Sequence, residues 1–349
     1  MKKILFIVLC LAGLTAYAVT PPVDLPDVGG GRLKVFAQNV QNYYFHYDNY
    51  ESTRANYDHE AFAEKTHRMV DAMMMVDADI FALCEVEAQE IVLRQLADSM
   101  NMRVEGEPYV AVEDGINEAW DPEYDNNIKS GFIYRKDKVQ PVGSCYPAST
   151  YTYYRNTMRI QAFEELATGE QFTMAMNHFK SKIGGGEEKR ITNAQHLLKA
   201  IKKYASDPDV LILGDLNCEE WEQPITIIKD AGYKELLIKY NPDAYSHCYG
   251  GGELIDHVLA NASLEEQVTG AGVFHISTAC GADGAKNANY RYSDHDPYIV
   301  CLCLGAEECP TAIETVPAQP RAKKTIENGQ LIINLPDGSI FDAFGRRLL

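Results

Sequence analysis

The sequence carries no Cys-x-x-Cys pair, which argues against a structural zinc site. No Gly-x-Gly-x-x-Gly opens a helical pattern, so a dinucleotide-binding fold has no support. No internal repeat is visible, and no apolar run reaches the roughly 20 residues that a membrane-spanning helix needs. Positive charge is scarce: 32 Lys and Arg stand against 50 Asp and Glu, a formal net charge of -18. That balance argues against a passive binder held to nucleic acid by a basic patch. An acidic chain can still handle phosphate if a divalent cation sits between its carboxylates and the phosphate, so phosphate chemistry here would imply a metal.

What is present describes a globular chain. With 349 residues, 46% hydrophobic and 23% charged, it can bury a sizeable core in one large domain or two ordinary ones. The first 18 residues read as a signal peptide: Lys2 and Lys3, an apolar run, then Ala16-Tyr17-Ala18 at the cleavage position. An exported protein is therefore expected, periplasmic, on the outer surface or extracellular. Cysteines 84, 145, 218, 248, 280, 301, 303 and 309 lie beyond that leader, an even count that permits disulfides. Cys84, Cys301 and Cys303 sit in apolar strand-like runs and are expected as free core residues.

Strand patterns fall at 33–39, 78–86, 129–135, 170–178, 209–217, 253–261 and 296–305. Helical patterns cover 59–76, with Phe62, Met69, Val70 and Met73 on one face, and 187–205, with Ile191, Ala194, Leu198 and Ile201 on one face. The run Met73 to Met75 reads as core packing. Strands and helices mixed without a sustained βαβ rhythm predict an α+β or sandwich-type α/β domain over 31–305, preceded by a linker at 19–30. The triple glycines at 29–31, 184–186 and 250–252 read as flexible loops, the second of them as a flap beside the candidate site. Residues 306–324, rich in Pro, Ala and charge, read as a second linker. Residues 325–349 carry Asn-Gly and Asp-Gly turns and read as a small β module of two or three strands.

Polar residues collect where these strand patterns end: Asn39, Glu85, Asn177-His178, Asp215 and Asn217. One such residue is a turn or a cap. Several together point to one shared site, because strand ends converge at one edge of a sheet.

The segments "FAQNVQNYY", "DIFALCEVE", "MNHFKSK", "LGDLNCEEWEQP", "LIDHVLAN" and "YSDHDP" resemble, in order and spacing over about 33–305, the endonuclease/exonuclease/phosphatase superfamily of metal-dependent phosphoesterases. The resemblance implies a four-layered α/β sandwich, two packed mixed sheets flanked by helices, with the site at one end. It implies Glu85, Asn39 and Asp294 at the metal, His295 as general base oriented by Asp256, and Asp215 with Asn217 holding the attacking water or steadying the pentavalent phosphate. His178 and Lys180 would donate to phosphate oxygens or to the leaving group. Hard oxygen ligands suit magnesium, with calcium or manganese as the other candidate ions.

The expected function is a secreted phosphodiesterase, a nuclease acting on DNA or RNA. A phosphatase or phospholipase acting on inositol phosphates or sphingomyelin-like lipids is the alternative. A non-catalytic binding module is the reading from a different class. No stable protein partner is expected. Asp296 reads as solvent-facing or strand-capping, His257 and His196 as structural, and Glu87 as a helix N-terminal charge or an outer-shell group. Arg155 and Arg159 stand off the spacing of the family's phosphate-approaching arginine. Cys84 replaces a glutamine common in the family. Tyrosines in 42–50 form either a stacking wall for bases or a partly buried loop. The C-terminal module resembles sorting modules of exported Bacteroidetes proteins.

Overall fold

The computed structural model describes residues 23–44, 59–88, 90–113, 128–147, 157–247, 252–278 and 290–305, together with three strands within 323–342. The signal peptide, Arg155 and most of the tyrosine-rich stretch lie outside the described residues. The chain divides into two compact units, Met1–Cys309 and Pro310–Leu349.

The first unit is built on two six-stranded mixed sheets. One has the order β11-β12-β1-β2-β4-β3, made of β1 (Leu33–Tyr43), β2 (Ile80–Glu87), β3 (Tyr109–Ala111), β4 (Ile128–Arg135), β11 (Val268–Val273) and β12 (Tyr298–Leu302). The other has the order β5-β6-β7-β8-β10-β9, made of β5 (Val139–Pro147), β6 (Met158–Glu165), β7 (Gln171–His178), β8 (Val210–Asp215), β9 (Tyr233–Glu235) and β10 (Asp256–Asn261). We call them the first and second sheets.

Alternation along each strand explains the layering. On β1 and β2, Val35, Ala37, Ile80 and Ala82 enter the core between the sheets, where they share a cluster with Met174, Met176, Leu211 and Leu213 of the second sheet. The intervening Phe36, Phe81 and Leu83 face outward onto α1 (His59–Val76) and α2 (Glu90–Asn101). In the second sheet, Ala175, Val210 and Ile212 meet α3 (Glu187–Tyr204) and α4 (Gln223–Asp230). Both faces of the central strands are thus buried, which is why they read as continuous apolar runs. The result is the predicted four-layered sandwich.

Two short helices, α5 (Leu236–Tyr240) and α6 (Ala262–Glu265), complete the first unit's helices among the described residues. Met73 is fully buried, and Met74 and Met75 pack partly against the same core, as expected of a packing cluster. The face of α3 departs from expectation. Arg190, Asn193, Ala194, Leu197, Ala200 and Ile201 are its buried residues, whereas Ile191 and Leu198 are only half-buried. Asn193 enters the interior because its amide oxygen accepts the Lys180 backbone N–H, a polar contact that an apolar count misses.

Segment 23–31 packs as part of the domain. Val23 and Val28 are buried in the outer core of the first sheet. A Cβ on Gly270 would lie 2.4 Å from the Val28 backbone, and one on Gly31 would lie 2.8 Å from Leu302 O. Gly31, expected as part of a flexible loop, is thus a site of close backbone approach, as is Gly270. Cys84 and Cys301 are free and buried, as expected. Cys303 is disulfide-bonded, which corrects the expectation of a free thiol; it lies one residue beyond the end of β12, outside the sheet.

The second unit holds β13 (Lys323–Glu327), β14 (Gln330–Asn334) and β15 (Ile340–Asp342), an antiparallel sheet in chain order. Its first strand starts two residues earlier than the expected module boundary.

Candidate active site

Sheet topology decides where polar residues meet. In each sheet the central pair is parallel, β1 with β2 and β7 with β8, and is joined by a helix, α1 or α3. Parallel strands end on the same edge. Each pair also has an antiparallel neighbour, β12 beside β1 and β10 beside β8, whose first residues start at that edge. Asn39, Glu85, His178 and Asp215 lie at or near strand ends, and Asp256 and His295 at or just before strand starts, so all six reach one rim.

The second sheet supplies the straighter half. His178 is in register with Asp215, and Asp215 with Asp256. Gly214 precedes Asp215 with φ 134°, and a Cβ there would fall 1.9 Å from Asn177 O. Only glycine allows β7 and β8 to approach so closely, which gives the glycine of the GDxN motif its physical reason. Asn217 takes the left-handed conformation, φ 51°, that asparagine tolerates. Its backbone N–H donates to Asp215 Oδ1 at 2.9 Å, and its amide donates to Phe179 O at 3.2 Å.

The first sheet bends to contribute. After Asn39, β1 is irregular, with Gln41 and Asn42 at φ 48° and 56°, and Glu85 itself sits at φ 60°. For a glutamate that conformation costs on the order of 1–3 kcal/mol. In return, the Asn42 N–H donates to Glu85 Oε2 at 2.9 Å. The Asn39 amide donates to Glu85 Oε1 at 3.0 Å and to Asp215 Oδ2 at 2.9 Å, joining the two sheets, while its oxygen accepts the Gln41 N–H. Asn39 therefore presents a donor, not its oxygen, to the two carboxylates.

His295 is held from several sides. Its Nδ1 lies 2.6 Å from Asp256 Oδ2, which also accepts the Ser246 hydroxyl at 2.7 Å. Its backbone N–H donates to Ser293 Oγ, which donates to Asn39 O, and its carbonyl accepts the Gln38 amide. Tyr292 in turn donates to Gln38 Oε1. With Nδ1 engaged, Nε2 faces inward, 3.8 Å from both Asp215 Oδ2 and Asp294 Oδ1. His178 Nε2 lies 3.6 Å from Glu85 Oε1 and from Asp215 Oδ2.

The charges are uneven. Burial opposes protonation of His295, yet the Asp256 and Asp215 carboxylates overcome it and hold its pKa well above the usual histidine range. Burial lifts Asp215 above the usual carboxylate range despite His295 and His178. Asp256 and Glu85 are held below that range: burial works against their ionisation, but His295 and its hydrogen bond prevail at Asp256, and His178 with the Asn39 amide at Glu85.

One ligand atom each from Glu85, His178 and Asp215 lies within 4.8 Å of the others; the same holds for Asp215, Asp256 and His295, and for His247, Asp294 and His295. Asp256 Oδ1 is buried without a hydrogen-bond partner. Carboxylate oxygens thus outnumber the donors, and the donor set fits a hard divalent cation.

Some expected residues stand elsewhere. Lys180 Nζ donates to Ser181 O and Ile183 O at 3.1 Å each, turned into its own loop. Asp296, expected to face solvent or cap a strand, is fully buried: it accepts the Ser277 and Thr278 N–H groups and the Thr278 hydroxyl, and lies 2.9 Å from His275 Nδ1. It ties the loop after β11 beneath the histidine motif. His257, between Glu235 and Cys218 O, is buried and structural, as expected. Glu87 is buried at the end of β2, ahead of α2. Arg159 is buried at the start of β6, opposite Met176 of β7 and so two positions from the rim residue His178. Cys84 joins the core between the sheets.

Several contributors carry no signal in the sequence. Ser246 and His247 lie in an irregular stretch, and only the fold brings Ser246 to Asp256 and the His247 ring to 4.7 Å from His295. Lys65 reads as an ordinary lysine on α1, yet it is buried and donates to Gln41 O at 2.6 Å. Burial lowers its pKa to about 7, with Glu85 and Asp294 opposing the fall. Ser293 was nearest to legible, since it lies inside the histidine motif itself.

No family model matches the sequence, and no curated protein matches it. Solved structures do. A Bacteroides thetaiotaomicron endonuclease/exonuclease/phosphatase family protein superposes with TM-score 0.54 at 17% identity, covering 77% of this chain and 96% of that one. The chain has the endonuclease/exonuclease/phosphatase fold. The same fold is shared with a mannosyl-6-phosphatase of B. thetaiotaomicron VPI-5482, TM-score 0.52 at 16% identity over 78% of this chain and 100% of that one. It is shared too with D. rerio TDP2 complexed with a single-strand DNA product, TM-score 0.52 at 15% identity over 77% and 97%.

Proposed function

We propose that the protein is a divalent-metal-dependent phosphodiesterase that hydrolyses nucleic acid, exported from the cell. The observation that carries this reading is the His295–Asp256 pair, with Nε2 aimed across the rim at the carboxylates of Asp215 and Asp294. Magnesium among Glu85, Asp215 and their neighbours would supply positive charge to the phosphate and to the charge that develops during hydrolysis.

The chain's own residues do the rest. His295, its Nδ1–H held by Asp256, takes a proton from water at Nε2 once it has released its own. Asp215, fixed by the Asn217 N–H and the Asn39 amide, orients that water. His178, beside Glu85 and Asp215, donates to a phosphate oxygen or to the leaving oxygen. The likeness to TDP2 with a DNA product supports nucleic acid as substrate. The likeness to a mannosyl-6-phosphatase and the net charge of -18 support the second reading, a phosphatase acting on a small phosphorylated compound or a lipid head group.

The test is hydrolysis of supercoiled DNA, RNA, inositol phosphates and sphingomyelin in parallel, with magnesium or calcium and with EDTA. Nicking that EDTA and His295→Ala both abolish is the expected result. Release of phosphate or head group with nucleic acid left intact would install the second reading.

A further inference from the structure

Next to the carboxylate rim, between α1 and the segments that lead into β12, lies a cavity of about 490 Å³. Its wall includes Lys65, Arg68, Arg291, Ser277, Thr278 and Asp294. Three basic side chains around one cavity stand out in a chain with so large an excess of negative charge. Arg68 is engaged with Glu64 at 2.8 Å and with Arg291 O at 3.0 Å, so it stiffens the wall. Lys65 is turned inward from α1, only 5% exposed, with its ammonium on Gln41 O. Asp294 connects cavity and catalytic rim, for its Oδ1 lies 3.8 Å from His295 Nε2 while its residue lines the cavity. A substrate with its reacting phosphate at His295 would have its next group at this opening.

We propose that the cavity binds a second phosphate of the substrate, adjacent to the one that reacts, through Lys65 and Arg291. This deepens the phosphodiesterase reading and rests on it. The chemistry required is a pair of basic side chains, Lys65 from the buried wall and Arg291 from the exposed one, a set that recognises phosphate oxygens. Two sources carry a second phosphate: the neighbouring diester of a nucleic-acid strand, and a terminal monoester of a small bisphosphate. A purely structural Lys65, serving only to balance Glu85 and Asp294, would not distinguish one phosphate from two.

The experiment uses the full chain bearing His295→Ala, so that ligands are not turned over, and calorimetric binding in magnesium. Three probes are compared: thymidine 5′-monophosphate, thymidine 3′,5′-bisphosphate and the trinucleotide TpTpT, which carries two diesters. Two-phosphate probes are expected to bind at least about tenfold more tightly than the monophosphate, a difference one charge-assisted contact supplies. Adding Lys65→Met or, separately, Arg291→Gln is expected to shrink that ratio towards one. Arg291 is exposed, so its variant answers the question even where Lys65→Met folds poorly. Preference for TpTpT identifies a strand, and preference for the bisphosphate a small molecule. A ratio near one in the parent, or a ratio that both substitutions leave unchanged, overturns the proposal. Should the unsubstituted chain hydrolyse no phosphodiester while the ratio holds, the phosphodiesterase reading fails and the second-phosphate site stands.

Discussion

The two sheets have the same plan and deliver their side chains in different ways. Each centres on a parallel pair bridged by a helix and flanked by antiparallel strands, yet the second sheet places His178, Asp215 and Asp256 in regular register while the first distorts to place Asn39 and Glu85. Left-handed residues mark the difference: Gln41, Asn42 and Glu85, all carrying side chains, in the first sheet's strands, against glycines alone, at 143 and 214, in the second. A regular strand end is set by pairing alone. A bent one needs side chains to hold it, and the Asn39 amide and the Asn42 N–H on Glu85 are what hold this one. The comparison teaches that the second sheet is the fixed wall of the site and the first the wall shaped to meet it.

The largest expected effect removes the general base, which reaches from the entry to β12 in the first sheet to Asp256 and Asp215 in the second. His295→Ala should cut hydrolysis by about 10²–10⁴-fold, checked by initial rates in magnesium, with retained activity refuting the assigned base. Gly214→Ala attacks the second wall's geometry: its Cβ meets backbone, so a loss of about 4 kcal/mol or more is expected in denaturant unfolding. A near-neutral result would show that β7 and β8 can separate without harm.

Asp256→Asn should lower the rate and move its alkaline-rising limb to lower pH. The sign follows from Asp256 being the main group that raises the His295 pKa, so that without its charge the imidazole gives up its proton earlier. A limb that stays in place would assign the titration to another group. On the first wall, Glu85→Gly should relieve left-handed strain and raise stability by up to about 1 kcal/mol while activity falls. Equal losses of both would mean that the Glu85 contacts outweigh the strain.

A further effect, read in stability against pH, concerns Lys65. Its folded pKa of about 7 lies below the ordinary 10.5 of the unfolded chain, so the unfolded state binds the extra proton between those values. Stability should therefore rise with pH from about 7 towards 10, and the penalty should be complete below about 7. Lys65→Met should flatten that rise in melting curves taken across the range; an unchanged slope would place its source elsewhere.

Much of the site was legible because its residues sit on strand patterns whose period and ends are local properties. Asn39, Glu85, His178 and Asp215 each stand at an end that the apolar pattern marks, whereas Asp256, inside the pattern 253–261, and His295 were legible through their motifs' resemblance to the family. The short strands were not legible: β3 and β9 have three residues each, too few to display a period, and β6 mixes Arg159, Gln161 and Glu165 into a buried strand. Asp296 was misplaced because one charged residue before a strand has no local mark that distinguishes a solvated position from a loop-tying one.

By itself the sequence determined the layered class, the two long helices α1 and α3, the central strands and the identity of the polar residues at their ends, since periodicity and chain order depend only on neighbours a few positions away. Tertiary structure alone decided which strand ends share a rim, that Ser246 backs Asp256, that Gly214 must lack a side chain, and that Lys65 turns inward beside the carboxylates. Those are contacts between residues tens to hundreds of positions apart or changes of local environment, and only closure of the two sheets over their common core creates them.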